Sequence, residues 1–549
     1  MQPWHGKRPN RNGFDERFRL LQSAPTVRPT TLTGMALACV TLAAGAQTTN
    51  LTTRSLTLRE CIDLALEHNL AVQLQRYGPE VAKYTLKAAY GAYDPTLSLS
   101  ASRTFVDQPP TFDAKKLNQT KVGPLLNIPG QDWPYQQTID SVGPSLSGVL
   151  PTGLKYSIAA RSDHMDATTV PIPYLITSPT GPFNLAISNN YSALAGITLS
   201  QPFLKDSWID LYRRTIQVDK KRLKISEQLF RAKVMAVVTS VASNYFRLID
   251  AREQVGVQLK ALEVANKLLE QTVKRVKVGD LPPLDEKQVQ SSVETIKTAL
   301  FAAEQAYEEQ ENGLKNLLTE DFQKWTGIKI EPSEALIAVE EPVNRSESWL
   351  LAMTQRPDLL QARLSLQVQD INVRFDYNQL FPSLDAVGSY GWLSTQPGFS
   401  ATLNDLRNGS MPYYSVGVVL SFPLGNITAR NNYKAGQAAR KQIALLLKEL
   451  EQNILVQVDT AVKLTETTYK QVLSTRRARE FAEAALDAEQ KKYDNGLSTP
   501  FLVLQFQDRL TLARSAEIAA LAAYNVAKAQ LAFQEGSTLE KNKIELKVK

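Results

Sequence analysis

Histidine and cysteine are nearly missing from this chain of 549 residues: His5, His68 and His164, with Cys39 and Cys61, are all it has. They are too scattered to form a zinc cluster, a disulfide framework or a Cys/His dyad, which removes the commonest metal and thiol chemistries. No constellation of acids, bases or metal ligands points to an enzyme, and no cofactor is implied. Long apolar runs are also missing. Nothing after the first 46 residues approaches eighteen consecutive apolar positions, so no transmembrane helix is expected there. What remains is an exported chain that is either soluble or inserted as strands.

Export is read from the start of the chain. Residues 1–46 carry six Lys or Arg against two acids and then the small, apolar run "TGMALACVTLAAGA" before Gln47. That is the n-region, h-region and Ala-x-Ala pattern of a secretory signal, with Ala44-Gly45-Ala46 as the cleavage site. Its removal lowers the net charge from +7 to +3, so a nucleic-acid partner loses its main support. Lipidation at Cys39 is the alternative processing, but Ala36-Leu37-Ala38 is a poor lipobox. The mature chain keeps Cys61, expected to be a buried structural thiol on a helix beginning after Thr57.

Two stretches share one layout. "VKRVKVGDLPPLDEKQVQ" (273–290) and "KKYDNGLSTPFLVLQFQ" (491–507) each break long helix with a glycine, Gly279 or Gly496, followed by a proline and a Gln-rich helix start. Ahead of the first break, Val234, Val238, Val241, Tyr245, Leu248, Arg252, Val255, Leu259, Leu262, Asn266, Leu269, Val273 and Val276 alternate steps of four and three. A sustained heptad implies helices packed on partner helices, with Arg252 and Asn266 as polar seam positions that set register. Leu512, Ala516, Ala519, Ala523 and Val526 repeat the habit with smaller residues, expected as a close-approach seam.

Four other stretches have period two. "SLDAVGSYGW" sets Leu384, Ala386, Tyr390 and Trp392 against Ser383, Asp385 and Ser389, and "YYSVGVVLSF" sets Tyr414, Val416, Val418, Leu420 and Phe422 against Ser415, Gly417 and Ser421. In the first half "TLSLSASRTF" and "YSALAGITLSQP" alternate likewise. A soluble sandwich and a membrane barrel both fit such strands; Tyr390, Trp392, Tyr414 and Phe422 suit the aromatic girdle of a barrel.

The two halves repeat. Gly196-Ile-Thr-Leu-Ser-Gln-Pro202 superposes on Gly417-Val-Val-Leu-Ser-Phe-Pro423, and Gly279 on Gly496. Long helices are expected over about 205–277 and 425–494, each on the order of 100 Å. Return paths are expected as stacked pairs of shorter helices, 284–318 on 346–380 and 500–534 on 57–92. Residues 319–345, with the chain ends 47–55 and 535–549, then form a belt halfway along. The division is a signal peptide at 1–46, a first repeat at 47–318 with strands about 94–201 and a tip at 278–283, an equatorial linker at 319–345, a second repeat at 346–534 with strands 383–423 and a tip at 494–500, and a tail at 535–549.

The segments "LTLRECIDLALEHNLAV", "AYDPTLSLS", "LSQPF", "RPDLLQARLSLQVQDINVRF", "LFPSL" and "NGLSTPFLVLQFQ", in this order, resemble the outer-membrane efflux proteins, the TolC-like family, along nearly the whole mature chain. The resemblance implies a mainly α fold with a membrane β-barrel: a homotrimer whose strands close one barrel against outer-membrane lipid, continued by a tunnel of long antiparallel coiled-coil helices across the periplasm of a diderm bacterium. It implies a passive exit duct served by a periplasmic adaptor and an inner-membrane pump, in efflux or type I secretion. A periplasmic coiled-coil scaffold is the alternative. It further implies adaptor docking at Val278, Gly279, Asp280 and Leu281 and at Asn495, Gly496, Leu497 and Ser498. Members that close the tunnel with carboxylates six and nine residues after the second tip glycine have Leu502 and Gln505 as counterparts here, so a constriction would draw its acids from Asp285 and Glu286. The hairpin at 142–161 either stands outside the sheet, giving twelve strands per trimer, the preferred count, or joins it, giving eighteen.

Overall fold

The computed structural model describes residues 52–108, 135–167 and 190–545; the leader at 1–46 lies outside them. In chain order the elements are β1 (Thr52–Leu56), α1 (Leu58–His68), α2 (Leu70–Tyr90), β2 (Thr96–Gln108), β3 (Tyr135–Val149), β4 (Lys155–Ala167), β5 (Asn190–Pro202), α3 (Leu211–Lys277), α4 (Pro283–Leu318), α5 (Phe322–Trp325), β6 (Ile328–Pro332), α6 (Arg345–Gln355), α7 (Pro357–Asn378), β7 (Ser383–Gln396), α8 (Phe399–Asn408), β8 (Pro412–Ser421), α9 (Ile427–Asp494), α10 (Pro500–Glu535) and α11 (Thr538–Lys541).

The long helices α3 and α9 have 67 and 68 residues, about 100 Å each at 1.5 Å per residue. Local chemistry marks their ends. Asp210 caps α3 by accepting from the Arg213 amide, while Lys274, Arg275 and Lys277 crowd its last turn, where the helix dipole favours cations. The return helices α4 and α10 both begin with proline at the first helical position, where a missing N–H costs nothing.

The helices form one layer. Above the belt the neighbours run α2, α3, α7, α9; below it they run α4, α3, α10, α9. This exchanges the expected stacking. Asn69, capping α2, donates to the Leu317 carbonyl at the end of α4 at 3.0 Å, whereas Arg356, between α6 and α7, reaches the Gln534 carbonyl near the end of α10 at 3.3 Å. So α4 continues into α1 and α2, and α10 into α6 and α7. Because α4 and α10 both have 36 residues, helix length could not tell the two pairings apart. Each short helix instead ends where a polar group from its own structural repeat satisfies its last carbonyls.

The belt is a small core in its own right. β1 pairs parallel with β6, and Cys61, Ile62, Val234, Val238, Val241, Tyr245, Leu248 and Leu314 pack beneath them. Tyr245 and Tyr307 donate to the Leu56 and Ile330 carbonyls at 3.0 and 2.9 Å. Cys61 is fully buried, and burial pushes its thiol up to about 12, so it is an inert packing group.

Two seam expectations need correcting. Arg252 donates to the Pro332 carbonyl at 2.7 Å, so it holds the belt rather than setting coiled-coil register. Asn266 is exposed, because the buried line has moved one residue over to Ala261, Ala265, Leu268 and Thr272; a 3.6-residue helix drifts against a 3.5-residue repeat. On α10, Leu512, Ala516, Ala519 and Ala523 lie on the exposed side, while Ala520, Tyr524, Ala527 and Leu531 are buried.

Candidate functional site

Among the described residues, six antiparallel strands form one sheet in the order β2-β3-β4-β5-β7-β8. The hairpin β3–β4 is part of it, so the preferred count of four strands per chain is overturned. Its turn is held at the sheet's base: Leu150 and Leu154 pair across it, and Gly153 has a φ of +85°. Gln201 donates from β5 to the Thr152 carbonyl.

The register sorts the side chains into two faces. Leu97, Leu146, Ile158, Ile197, Tyr390 and Tyr414 oppose one another in a single row across all six strands. Leu99, Ala195, Trp392, Leu199, Val416, Val418 and Leu420 share that face, and the β8 members among them are exposed. The other face carries Ser98, Ser100, Ser145, Ser157, Thr198, Ser389 and Ser415; the last two bond hydroxyl to hydroxyl at 2.8 Å.

The apolar face stops at a polar row. Arg103 opposes Asp140 with two bonds of 2.8 and 2.9 Å; Asp140 opposes His164, and His164 opposes Tyr191, their rings stacked at 4.3 Å. From the Leu384–Leu420 pair to the row of Ser394, Ala193 and Val142 is ten residues. That is about 33 Å along a strand, or roughly 25 Å of height at a tilt near 40°, the height of a barrel's apolar band. Of the expected girdle, Tyr390, Trp392 and Tyr414 cluster together, with the first two rings 5.2 Å apart. Phe422 lies past the other end of β8. The row from Arg103 to Tyr191 was missed in the sequence. It consists of single polar residues on four strands, visible there only as isolated breaks in an apolar alternation.

At the opposite end of the helical layer, the two tips share one backbone solution. Gly279 and Gly496 have φ of +82° and +75°. The Asp280 amide donates to the Arg275 carbonyl and the Gly279 amide to Val276; the Leu497 amide donates to Lys492 and the Gly496 amide to Tyr493. These are two Schellman turns, in which a positive φ at the residue after the cap lets the last carbonyls be satisfied. Among the described residues neither glycine has another group within 4 Å of where a Cβ would sit, so φ demands glycine.

The tips display different residues. Leu497 is 79% exposed, but at the first tip Val278, 80% exposed, takes that role while Leu281 is half-buried. Leu284 and Phe501 occupy equivalent exposed positions on the return helices. Ser498 donates to Glu489 at 2.5 Å and Asn495 to the Lys491 carbonyl at 2.8 Å, fixing the second loop. Asp285 and Glu286 lie in the first turn of α4, where the helix dipole favours acids; Gln290 donates to Glu286 at 2.9 Å. Leu502 and Gln505 are exposed on the opening turns of α10.

The model of the family described as outer membrane efflux protein matches residues 154–320 and 351–537, one block in each half. The chain belongs to that family. Among curated relatives, the cation efflux system protein CusC of Escherichia coli K12 is 22% identical over 300 residues, which is 54% of this chain and 63% of CusC. The pyoverdine export outer membrane protein OpmQ of Pseudomonas aeruginosa is 25% identical over 306 residues, covering 54% of this chain and 60% of OpmQ. The chain thus aligns with somewhat under two thirds of each of these relatives. Solved structures agree over more of its length. The Campylobacter jejuni CmeC outer membrane channel superposes with a TM-score of 0.60 at 16% identity, covering 93% of this chain and 94% of CmeC. The outer membrane protein VceC of Vibrio cholerae does so at 0.61 and 17%, covering 87% and 96%.

The fold is therefore the TolC-like one, duplicated, mostly helical, with a sheet, and the protein resides in the outer membrane. No described helix is long and apolar enough to cross a membrane.

Proposed function

We propose that three copies of this chain assemble into a barrel and tunnel that conduct cargo passively out of the cell, receiving it from a periplasmic adaptor and an inner-membrane pump docked at the helical tips. The observation that carries this reading is a pair of matched open edges. Among the described residues β2 and β8 are the edge strands of the sheet, each paired on one side only; in the helical layer the outermost members are α2 with α4 on one side and α9 on the other. β2 follows α2 and β8 precedes α9, so sheet and helices end on the same two sides. A head-to-tail contact between such edges closes into a ring when the rotation relating the copies completes a full turn, which three copies do in this reading.

The α2 edge is built for a partner helix. Leu70, Leu74, Tyr77, Val81 and Tyr84, spaced four, three, four, three, are all more than half exposed, an unpartnered heptad seam. Leu445, Leu446 and Val456 are exposed on α9 and supply the facing side in the next copy. Three copies contribute eighteen strands, an even number within the range of bacterial barrels. The apolar face meets lipid and the serine-rich face lines the channel. A soluble periplasmic scaffold would leave Val416, Val418 and Leu420 in water.

The tips are the adaptor site in this reading, through Val278, Leu284, Leu497 and Phe501. Any acidic narrowing at that end is supplied by Asp285 and Glu286, since Leu502 and Gln505 carry no charge. Disulfide cross-linking tests the assembly: a Tyr77→Cys, Leu445→Cys chain, with Cys61 too buried to interfere, should give dimers and trimers and nothing larger in outer-membrane fractions. A monomer in the soluble periplasmic fraction would refute the proposal.

A further inference from the structure

The helix α8 lies on the apolar face of the sheet, beside β5 and β7. Thr402, fully buried, donates to the Tyr191 carbonyl at 3.2 Å, and Asp405 accepts from the Ser394 hydroxyl at 2.9 Å. Gly409, with a φ of +67°, ends the helix over the Trp392 ring. Its position is therefore fixed by hydrogen bonds at the middle and by a cap at the end. Its apolar residues Phe399 and Leu403 remain nearly half exposed.

Between α8 and the strands runs a groove of about 430 Å³, floored by Val142, Pro144, Ala160 and Ala193 and walled by Leu403 and Leu406. A second hollow of about 440 Å³, reaching Leu146, Ile158 and Trp392, shares Pro144 and Ala160 with it. Together they make one apolar trough. Its floor is low because alanines stand where neighbouring positions carry leucine, isoleucine and aromatic residues. One end opens onto the apolar band; the other stops at Asp140, His164 and Tyr191. An apolar slot closed by a polar row matches a lipid: chain in the slot, headgroup at the row.

We propose that this trough is a binding site for one acyl chain of an outer-leaflet lipid, with α8 as its wall and the Arg103–Asp140–His164–Tyr191 row at headgroup level. The site rests on the reading that the apolar face meets lipid. Annular lipid slides freely over a smooth barrel wall, whereas a chain seated here is enclosed on the sheet side and by α8.

Photo-crosslinking tests both layers. The full-length protein is reconstituted in vesicles of a phosphatidylcholine carrying a diazirine in one acyl chain, irradiated, and the adducts mapped. Adducts are expected on Leu403 and Leu406 as well as on Val416 and Leu420. Ala160→Trp, which fills the floor, should cut the α8 adducts about tenfold, the equivalent of roughly two buried methylenes, and leave those on Val416 unchanged. Leu403→Gln, which puts an amide into the α8 wall of the groove, should reduce the adducts on Leu406 while leaving the strands unaltered. Adducts on Val416 and Leu420 with none on α8, or an unchanged yield in both variants, would overturn the site and leave the lipid-facing reading intact. Adducts confined to the Ser389 and Ser415 face would overturn both.

Discussion

The guanidinium of Arg275, in the last turn of α3, lies 4.5 Å from the ring centroid of Tyr493 in the last turn of α9. It also donates to the Tyr493 carbonyl at 3.4 Å. The two residues sit just before the two tip glycines, so this cation–π contact ties one helical hairpin to the other at the far end. Around them Leu268, Val289, Val503 and Leu504 close a small core with Tyr493, which is fully buried. Tyr493→Ala is expected to destabilise the tips by about 3–5 kcal/mol, the range for an aromatic truncated in a core. The buried Tyr493 hydroxyl has no hydrogen-bond partner among the described residues, so Tyr493→Phe should be neutral or slightly stabilising. Hydrogen exchange over 268–289 and 489–504 measures both.

Glycine at the tips is required by backbone geometry and the neighbouring side chains are not. Gly279→Ala and Gly496→Ala should each cost about 1–2 kcal/mol through the left-handed conformation, read as lost protection at the reversal. Leu497→Asp and Val278→Asp leave the turn intact and should abolish export while trimers stay in the outer membrane. Normal export by that double variant, at wild-type abundance, would show that the tips serve only as turns.

Val416→Arg and Gly417→Arg place the same charge on opposite faces of β8. On the lipid side near the midplane the charge should cost about 2–4 kcal/mol, and on the channel side much less. No described residue lies within 4 Å of a Cβ at Gly417, so crowding within the chain does not confound the pair. Trimer yield after folding into detergent compares them, and equal losses would reject the face assignment.

The Glu489 carboxylate is held below the usual range, chiefly by the Ser498 hydroxyl and then by Lys492. A group with a lowered folded value stabilises fully above its unfolded value, about 4.3, and loses that contribution as pH falls from there through the folded value. The second tip loop should therefore loosen in acid across that window. Glu489→Gln should remove the pH dependence, as measured by protection of residues 495–499 against pH.

Much of this architecture was legible because it is written in short periods. Glycine followed by proline marks each tip, steps of three and four mark α3, and alternation marks β2, β5, β7 and β8; all depend on residues within a turn or a pleat of one another. The stretch at 142–161 likewise read as a hairpin. Whether it joined the sheet depended on partners β2 and β5, some forty residues away on either side. Exposure at the tips was also beyond the sequence. Leu281 and Val278 flank the same glycine, and only the path of the chain decides which one points outward.

The sequence by itself determined the duplication, the lengths of the long helices, their reversals and the existence of a two-faced sheet, because propensity and periodicity act locally along the chain. Only the tertiary structure decided that α4 stacks on α1 and α2, that α10 stacks on α6 and α7, that six strands share one sheet, and that Arg103, Asp140, His164 and Tyr191 stand in one row. Equal helix lengths make the two stackings indistinguishable until Asn69 and Arg356 find their carbonyls. A cross-strand row exists only once register is set, since a slip of one residue would send each of its members to the other face.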